Sequence, residues 1–121
     1  MHKPKHTSET GKAAEELACV YLQNRGLVLI NRNYRCRIGE IDLVMLHDTS
    51  IVFIEVRYRR SRRFGSAAES VDRRKQARII SAARYYLHLH RAMSRRSIRF
   101  DVVLVEPGWP VDWIMDAFQT C

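Results

Sequence analysis

Two apolar runs, Ile38 to Leu46 and Ile51 to Tyr58, stand on either side of the polar quartet His47-Asp48-Thr49-Ser50, and nothing else in the chain constrains the fold as tightly. Runs of that length around a polar turn predict an antiparallel hairpin. The second run is apolar on both faces for most of its length, as expected of a strand covered on both sides. Each run nevertheless contains an acid, Asp42 in the first and Glu55 in the second. If the turn is symmetric about the Asp48–Thr49 peptide, paired residue numbers sum to 97, and 42 and 55 satisfy that sum. The two acids then stand opposite each other on one face, with Cβ atoms about 4.5–5.5 Å apart. The same register sets Glu40 opposite Arg57, as an ion pair beside the acids. A slip of one residue would send Asp42 and Glu55 to opposite faces.

Burying bare charge is costly, and two carboxylates side by side repel, so the register calls for a cation between them. A divalent metal with hard oxygen ligands is the economical choice, because Mg²⁺ takes one or two protein carboxylates and fills its octahedron with water and phosphate oxygens. The alternative is that arginines pair with both acids and no chemistry follows. Glu15, beside Ala14 and Ala18 on a helical stripe, is a candidate third acid or an ordinary solvated helix residue.

The remaining elements follow from periodicity. Ala14, Leu17, Ala18, Tyr21 and Leu22 form an amphipathic stripe, with Gly26 as a stop, and predict a first helix from about Ser8 to Arg25. Leu27 to Ile30, continued through Tyr34, predicts a first strand. Asp72 can cap a second helix whose stripe runs Ile79, Ile80, Ala83, Tyr86, Leu87 and His90, ending near Met93. Ile98 to Val105 predicts a further strand, and Trp113, Ile114, Ala117 and Phe118 supply a short C-terminal packing element. The expected fold class is α/β, a mixed β-sheet flanked by helices in the order αβββαβ plus that final element. At 121 residues the chain is expected to form a single domain, 1–121, with a polar tail over 1–9 and a basic loop over 59–70.

Charge is concentrated. Residues 1–56 hold 7 basic and 7 acidic side chains, residues 57–99 hold 14 against 2, and residues 100–121 hold none against 4. Seventeen of the 21 basic residues are arginine, whose planar fork pairs bidentately with phosphate oxygens. Nucleic acid, DNA first, is the expected partner, with Arg59, Arg60, Arg62, Arg63, Arg73, Arg74 and Lys75 as phosphate contacts. A solvated arginine-rich face without a ligand is the competing reading. Tyr34, Tyr58 and Phe64 can stack on bases or serve the core. No apolar run approaches the roughly 20 residues needed to cross a bilayer and no leader-like segment opens the chain, so a cytoplasmic location without membrane contact is expected. Cys19, Cys36 and Cys121 match neither a disulfide framework nor a metal knuckle and read as free thiols. The five histidines lack zinc spacing, and no Walker loop, G-x-G-x-x-G or G-x-S-x-G occurs, so nothing supports a nucleotide-driven motor, dinucleotide chemistry or serine hydrolysis.

Asp42-x12-Glu55-Val56-Arg57 resembles the metal and catalytic motif of the PD-(D/E)xK phosphodiesterase superfamily, which has the restriction-endonuclease-like fold. Together with Ala14-Glu15-Glu16-Leu17-Ala18, Gly39-Glu40-Ile41-Asp42-Leu43-Val44, Val71-Asp72 with Lys75, and Arg99-Phe100-Asp101-Val102-Val103, it is similar to the YraN family of uncharacterised bacterial proteins, described as resolvase-like or endonuclease-like. The resemblance spans about residues 11–118. It implies a metal-dependent nuclease acting on DNA or structured nucleic acid, with Asp42, Glu55 and Glu15 at the acidic positions, Mg²⁺ or Mn²⁺ as cofactor, and a homodimer by analogy with junction-cleaving enzymes. One position departs from the superfamily pattern: Arg57 stands where lysine is usual. Arginine can hold a phosphate or steady its charge but keeps its proton, which removes general base catalysis by this residue. The rivals are a non-catalytic nucleic-acid-binding protein with a degenerate nuclease fold and a module whose arginines meet an acidic protein.

Overall fold

The computed structural model describes residues 9–58, 71–106, 108 and 111–120. Its elements are α1 (Glu9–Gln23), β1 (Val28–Arg35), β2 (Glu40–His47), β3 (Ser50–Tyr58), α2 (Arg73–Leu89), a 3-10 turn (Arg91–Arg95), β4 (Ile98–Val105) and β5 (Asp112–Phe118). The five strands form one sheet in chain order, antiparallel except for the parallel β3–β4 pair. Parallel neighbours need a long crossover, and α2 lies in that connection. The result is the expected mixed α/β architecture, consistent with a restriction-endonuclease-like fold. The C-terminal element is a fifth strand, paired antiparallel with β4.

β3 is the central strand, and its side chains alternate between two cores. Ile51 and Phe53 join Val44, Val102 and Phe100 beneath Ile79, Ala82, Ala83 and Tyr86 of α2. Val52 and Ile54 join Leu43, Met45 and Val103 beneath Ala14, Ala18, Cys19 and Leu22 of α1. Burial from Ile51 to Glu55 is therefore complete on both faces, as a run without polar alternation requires.

The ends of α1 and α2 differ from the sequence expectation for local reasons. α1 stops two residues early, in a cap where Gly26 has φ 96°, the Gly26 N–H reaches the Gln23 carbonyl, and the Leu27 N–H reaches the Leu22 carbonyl. Leu22 and Leu27 are both buried in the α1 core, the apolar contact that accompanies such a cap. α2 begins as expected at Asp72, whose carboxylate accepts from the Lys75 N–H at 2.8 Å. It ends at Leu89 and not near Met93, because His90 leaves helical geometry and its ring Nδ1 takes up the Tyr86 carbonyl at 2.8 Å. No helix among the described residues is long and apolar enough to cross a membrane. Cys19 and Cys36 are free thiols, whereas Cys121 lies outside the described residues.

Candidate active site

The β2–β3 ladder runs through Leu43↔Ile54, Val44↔Phe53, Met45↔Val52, Leu46↔Ile51 and His47↔Ser50, every pair summing to 97. The turn is the two residues Asp48 and Thr49, with Asp48 at φ 56°, a left-handed position that a short polar side chain tolerates. The ladder ends at Leu43↔Ile54, and just beyond it Asp42 and Glu55 lie near enough for the Glu55 charge to act on Asp42. There the backbone pairing gives way to a side chain, and the Val56 N–H donates to Asp42 Oδ2 at 2.8 Å. Both acids are nine-tenths or more buried, at 8% and 5% exposure.

Two cations reach Glu55 Oε2, Lys75 Nζ at 3.5 Å and Arg57 Nη1 at 3.6 Å. Arg57 comes from two residues further along β3. Lys75 comes from the first turn of α2, where the Asp72 cap fixes the backbone. Burial pushes the Asp42 carboxyl well above the usual carboxylate range, the Glu55 charge adds to that push, and Glu15 on α1 adds a little more. The Val56 N–H and the Lys75 charge act in the opposite direction without cancelling it. Both cations reach Glu55, while burial and the neighbouring acids raise Asp42, so the two carboxylates could take a hard divalent cation. Among the described residues no cluster of three or more His, Cys, Asp or Glu side chains is arranged to hold a metal, so Glu15 acts on Asp42 through its field and does not complete a three-ligand cage.

The other residues singled out in the sequence are distributed unevenly. Arg73 and Arg74 are exposed at the start of α2. Arg59, Arg60, Arg62, Arg63 and Phe64 lie outside the described residues, as does the whole of the expected 59–70 loop. Tyr34 packs edge-on against Tyr86 at 5.0 Å, and Tyr58 is exposed. Glu40, paired in the ladder with Arg35, also meets its Nε at 3.5 Å. Periodicity could have placed Lys75 differently: the α2 stripe of Ile79, Ala82, Ala83 and Tyr86, continued back one turn, lands on it. A lysine on a core-facing stripe points at the sheet, not at solvent.

A second group of basic residues was not singled out as a site. Arg35, Arg37, Lys75 and Arg78 line a cleft of about 330 Å³ between the β1–β2 turn and α2, with Glu40 as its acid. The turn sits tight against the helix: a Cβ on Gly39 would stand 3.0 Å from the Arg78 carbonyl oxygen and 3.4 Å from its Cβ.

The profile of a family described as uncharacterised protein family UPF0102 matches residues 14–105. Similar proteins include a UPF0102 protein of Nitrosococcus oceani, 50% identical over 97% of both chains. One from Methylococcus capsulatus is 47% identical over 94% of both. One from Stutzerimonas stutzeri is 46% identical over 94% of this chain and 98% of its own.

Proposed function

This chain belongs to the uncharacterised protein family UPF0102, and because that family's name carries no chemistry, we propose from the chain's own residues that it is a metal-dependent nuclease hydrolysing phosphodiester bonds in DNA or structured nucleic acid. One observation carries the reading: two buried carboxylates stand together at the open end of a hairpin, with the cations of Arg57 and Lys75 beside Glu55. Burial and the Glu55 charge hold the Asp42 carboxyl above its normal range, a perturbation that clusters at functional sites.

Asp42 and Glu55 would hold Mg²⁺ or Mn²⁺, which when bound supplies Lewis-acid polarisation of a phosphoryl oxygen and a more acidic water. The Val56 N–H orients Asp42 by fixing one of its oxygens. Arg57, within reach of Glu55, offers its fork to the equatorial oxygens of the phosphate, where negative charge grows in the transition state. Lys75 brings an ammonium to the same carboxylate from the helix. Of the two cations it is the one whose residue type can pass a proton, so the departure at position 57 does not leave the site without a lysine.

A second reading, a nucleic-acid-binding protein that has lost cleavage, draws on Arg57 itself. The test is a cleavage assay on branched, nicked, single-stranded and duplex DNA with Mg²⁺ or Mn²⁺, run beside Asp42→Ala and Glu55→Ala. The nuclease reading expects cleavage by the wild type and a loss of at least about 10²-fold in both variants. Equal activity in all three would expose a contaminant, and binding without cleavage would establish the second reading. Calorimetry with Mn²⁺ should show uptake by the wild type that both variants lose.

A further inference from the structure

The cationic cleft is joined to the carboxylates by Lys75, whose ammonium meets Glu55 Oε2, and it extends away from them. Arg35, Cys36, Arg37 and Ile38 wall it on one side, and the same four residues wall a second cleft of about 750 Å³ completed by Tyr34, Tyr85 and Leu89. The two hollows are lobes of one groove running along α2 from Lys75 to Leu89, about 21 Å at 1.5 Å of rise per residue. Its chemistry changes along its length. The lobe beside the carboxylates has Arg35, Arg37, Lys75 and Arg78 against the single acid Glu40. The distal lobe presents the ring of Tyr85, 43% exposed, and the side chain of Leu89, 55% exposed.

We propose that this groove binds an unpaired strand of nucleic acid, its phosphates against Arg35, Arg37 and Arg78 and a base against Tyr85. The proposal rests on the nuclease reading for the identity of the polymer, and it adds the substrate class: branched, flapped or single-stranded nucleic acid in preference to intact duplex. Phosphates are common to both forms, so the cationic lobe alone does not choose between them. The distal lobe does, because a base face is available to an aromatic ring only where the base is unstacked and unpaired. Lys75 joins the groove to the carboxylates, so a strand lying in it would pass its backbone beside Glu55. An acidic peptide with an apolar residue would satisfy the charges too, but it would give the acids at the end of the groove no phosphodiester.

The test is fluorescence anisotropy in EDTA, with a labelled oligothymidylate and a blunt DNA hairpin as probes, so that cleavage does not enter the readout. Wild type and Asp42→Asn should both prefer the single strand by about tenfold or more. Tyr85→Ala should lose about tenfold on the single strand and little on the hairpin, since one stacked base is removed. Tyr85→Phe should restore the loss, and Arg78→Glu should weaken both probes. Arg84→Glu makes the same charge change on α2 outside the groove and should weaken the single strand far less than Arg78→Glu. Equal binding of the two probes, an unchanged Tyr85→Ala, or displacement of the oligonucleotide by polyglutamate at equal charge would overturn the groove. Cleavage that ignores strand structure and survives the groove variants would overturn it too and leave the nuclease standing. Single-strand preference lost in Tyr85→Ala, in a protein that never cleaves, would sustain the groove and end the nuclease reading.

Discussion

Asp42→Asn should make the metal-free protein more stable, although it replaces a buried residue at the centre of the candidate site. Two unit charges about 5 Å apart, the spacing of facing strand residues, repel by about 3 kcal/mol at an effective dielectric of 20. Lys75 and Arg57 offset part of this through Glu55. A net gain of about 1–2 kcal/mol is expected, or roughly 4–8 °C in melting temperature for a domain of this size. The amide oxygen of asparagine can still accept from the Val56 N–H, so the substitution removes charge and keeps the hydrogen bond. The pH dependence has a definite sign. Asp42 titrates higher folded than unfolded, so between those two values the folded state binds more protons and wild-type stability falls as pH rises. Asparagine has no such loss. The unfolding curves of the two proteins, followed by circular dichroism in EDTA, should converge below about pH 4 and separate as pH rises. Mn²⁺ should then reverse the order at neutral pH. A cation at one hundred times its dissociation constant stabilises the wild type by about 2.7 kcal/mol and should do little for the variant. An asparagine variant less stable than wild type at pH 8 in EDTA, or a gap that does not change with pH, would refute the view that burial and the Glu55 charge make an ionised Asp42 costly.

Four further outcomes follow from the same geometry. Lys75→Met should lower cleavage by about 10²-fold or more while Mn²⁺ uptake measured by calorimetry persists, since the ammonium contacts Glu55 without being a metal ligand. Arg57→Lys should retain most of the cleavage rate and Arg57→Ala should lose about tenfold or more, a ranking read in single-turnover assays. Asp101→Ala should cost about 3–5 kcal/mol in urea unfolding, because it takes the fully buried carboxylate from the half-buried Arg99 and removes the acceptor of the Trp113 and Asp116 N–H groups. Gly39→Ala should cost about 1–3 kcal/mol in the same experiment, its methyl meeting helix backbone that has little room to retreat.

The hairpin was legible in the sequence because its turn is short. Two residues between two apolar runs leave the register little freedom, and the sum of 97 holds from His47↔Ser50 to Leu43↔Ile54, one step short of the two acids. The strand over Ile98–Val105 was legible from its own residues, alternating as Ile98-Arg99-Phe100-Asp101 and then running apolar through Val102-Val103-Leu104-Val105. Helix ends were less so. Gly26 announced the stop of α1, but the residues beyond Gln23 form the cap and not another helical turn, a matter of which carbonyl each N–H reaches. The role of the final segment could not be read from a handful of apolar residues, because the spacing of Trp113, Ile114, Ala117 and Phe118 suits one face of a helix, whereas the strand that forms carries a register irregularity and a left-handed Asp116 at φ 54°. The cationic groove was invisible for a different reason: Arg35 ends a strand, Arg37 belongs to a turn, Arg78 to a helix, and the close approach at Gly39 brings them together.

Asp101 shows why an acid in an apolar strand is not by itself a sign of chemistry. It satisfies the same sequence criterion as Asp42 and Glu55, lying within Ile98–Val105, and it is fully buried. Its surroundings are the opposite. Arg99 holds both of its oxygens at 2.9 Å, the Trp113 indole donates to one at 2.9 Å and the Asp116 N–H to the other at 2.9 Å. Every lone-pair direction that matters has a donor, and the counter-charge comes from the same strand. Such a carboxylate ties β4 to β5 and has nothing left to offer a ligand. Asp42 has one backbone donor, an acidic neighbour across the hairpin and a second acid acting on it from α1. The difference between a structural acid and a candidate ligand therefore lies in the charge balance of the first few ångströms, and only at the open end of the hairpin is that balance left incomplete among these three acids.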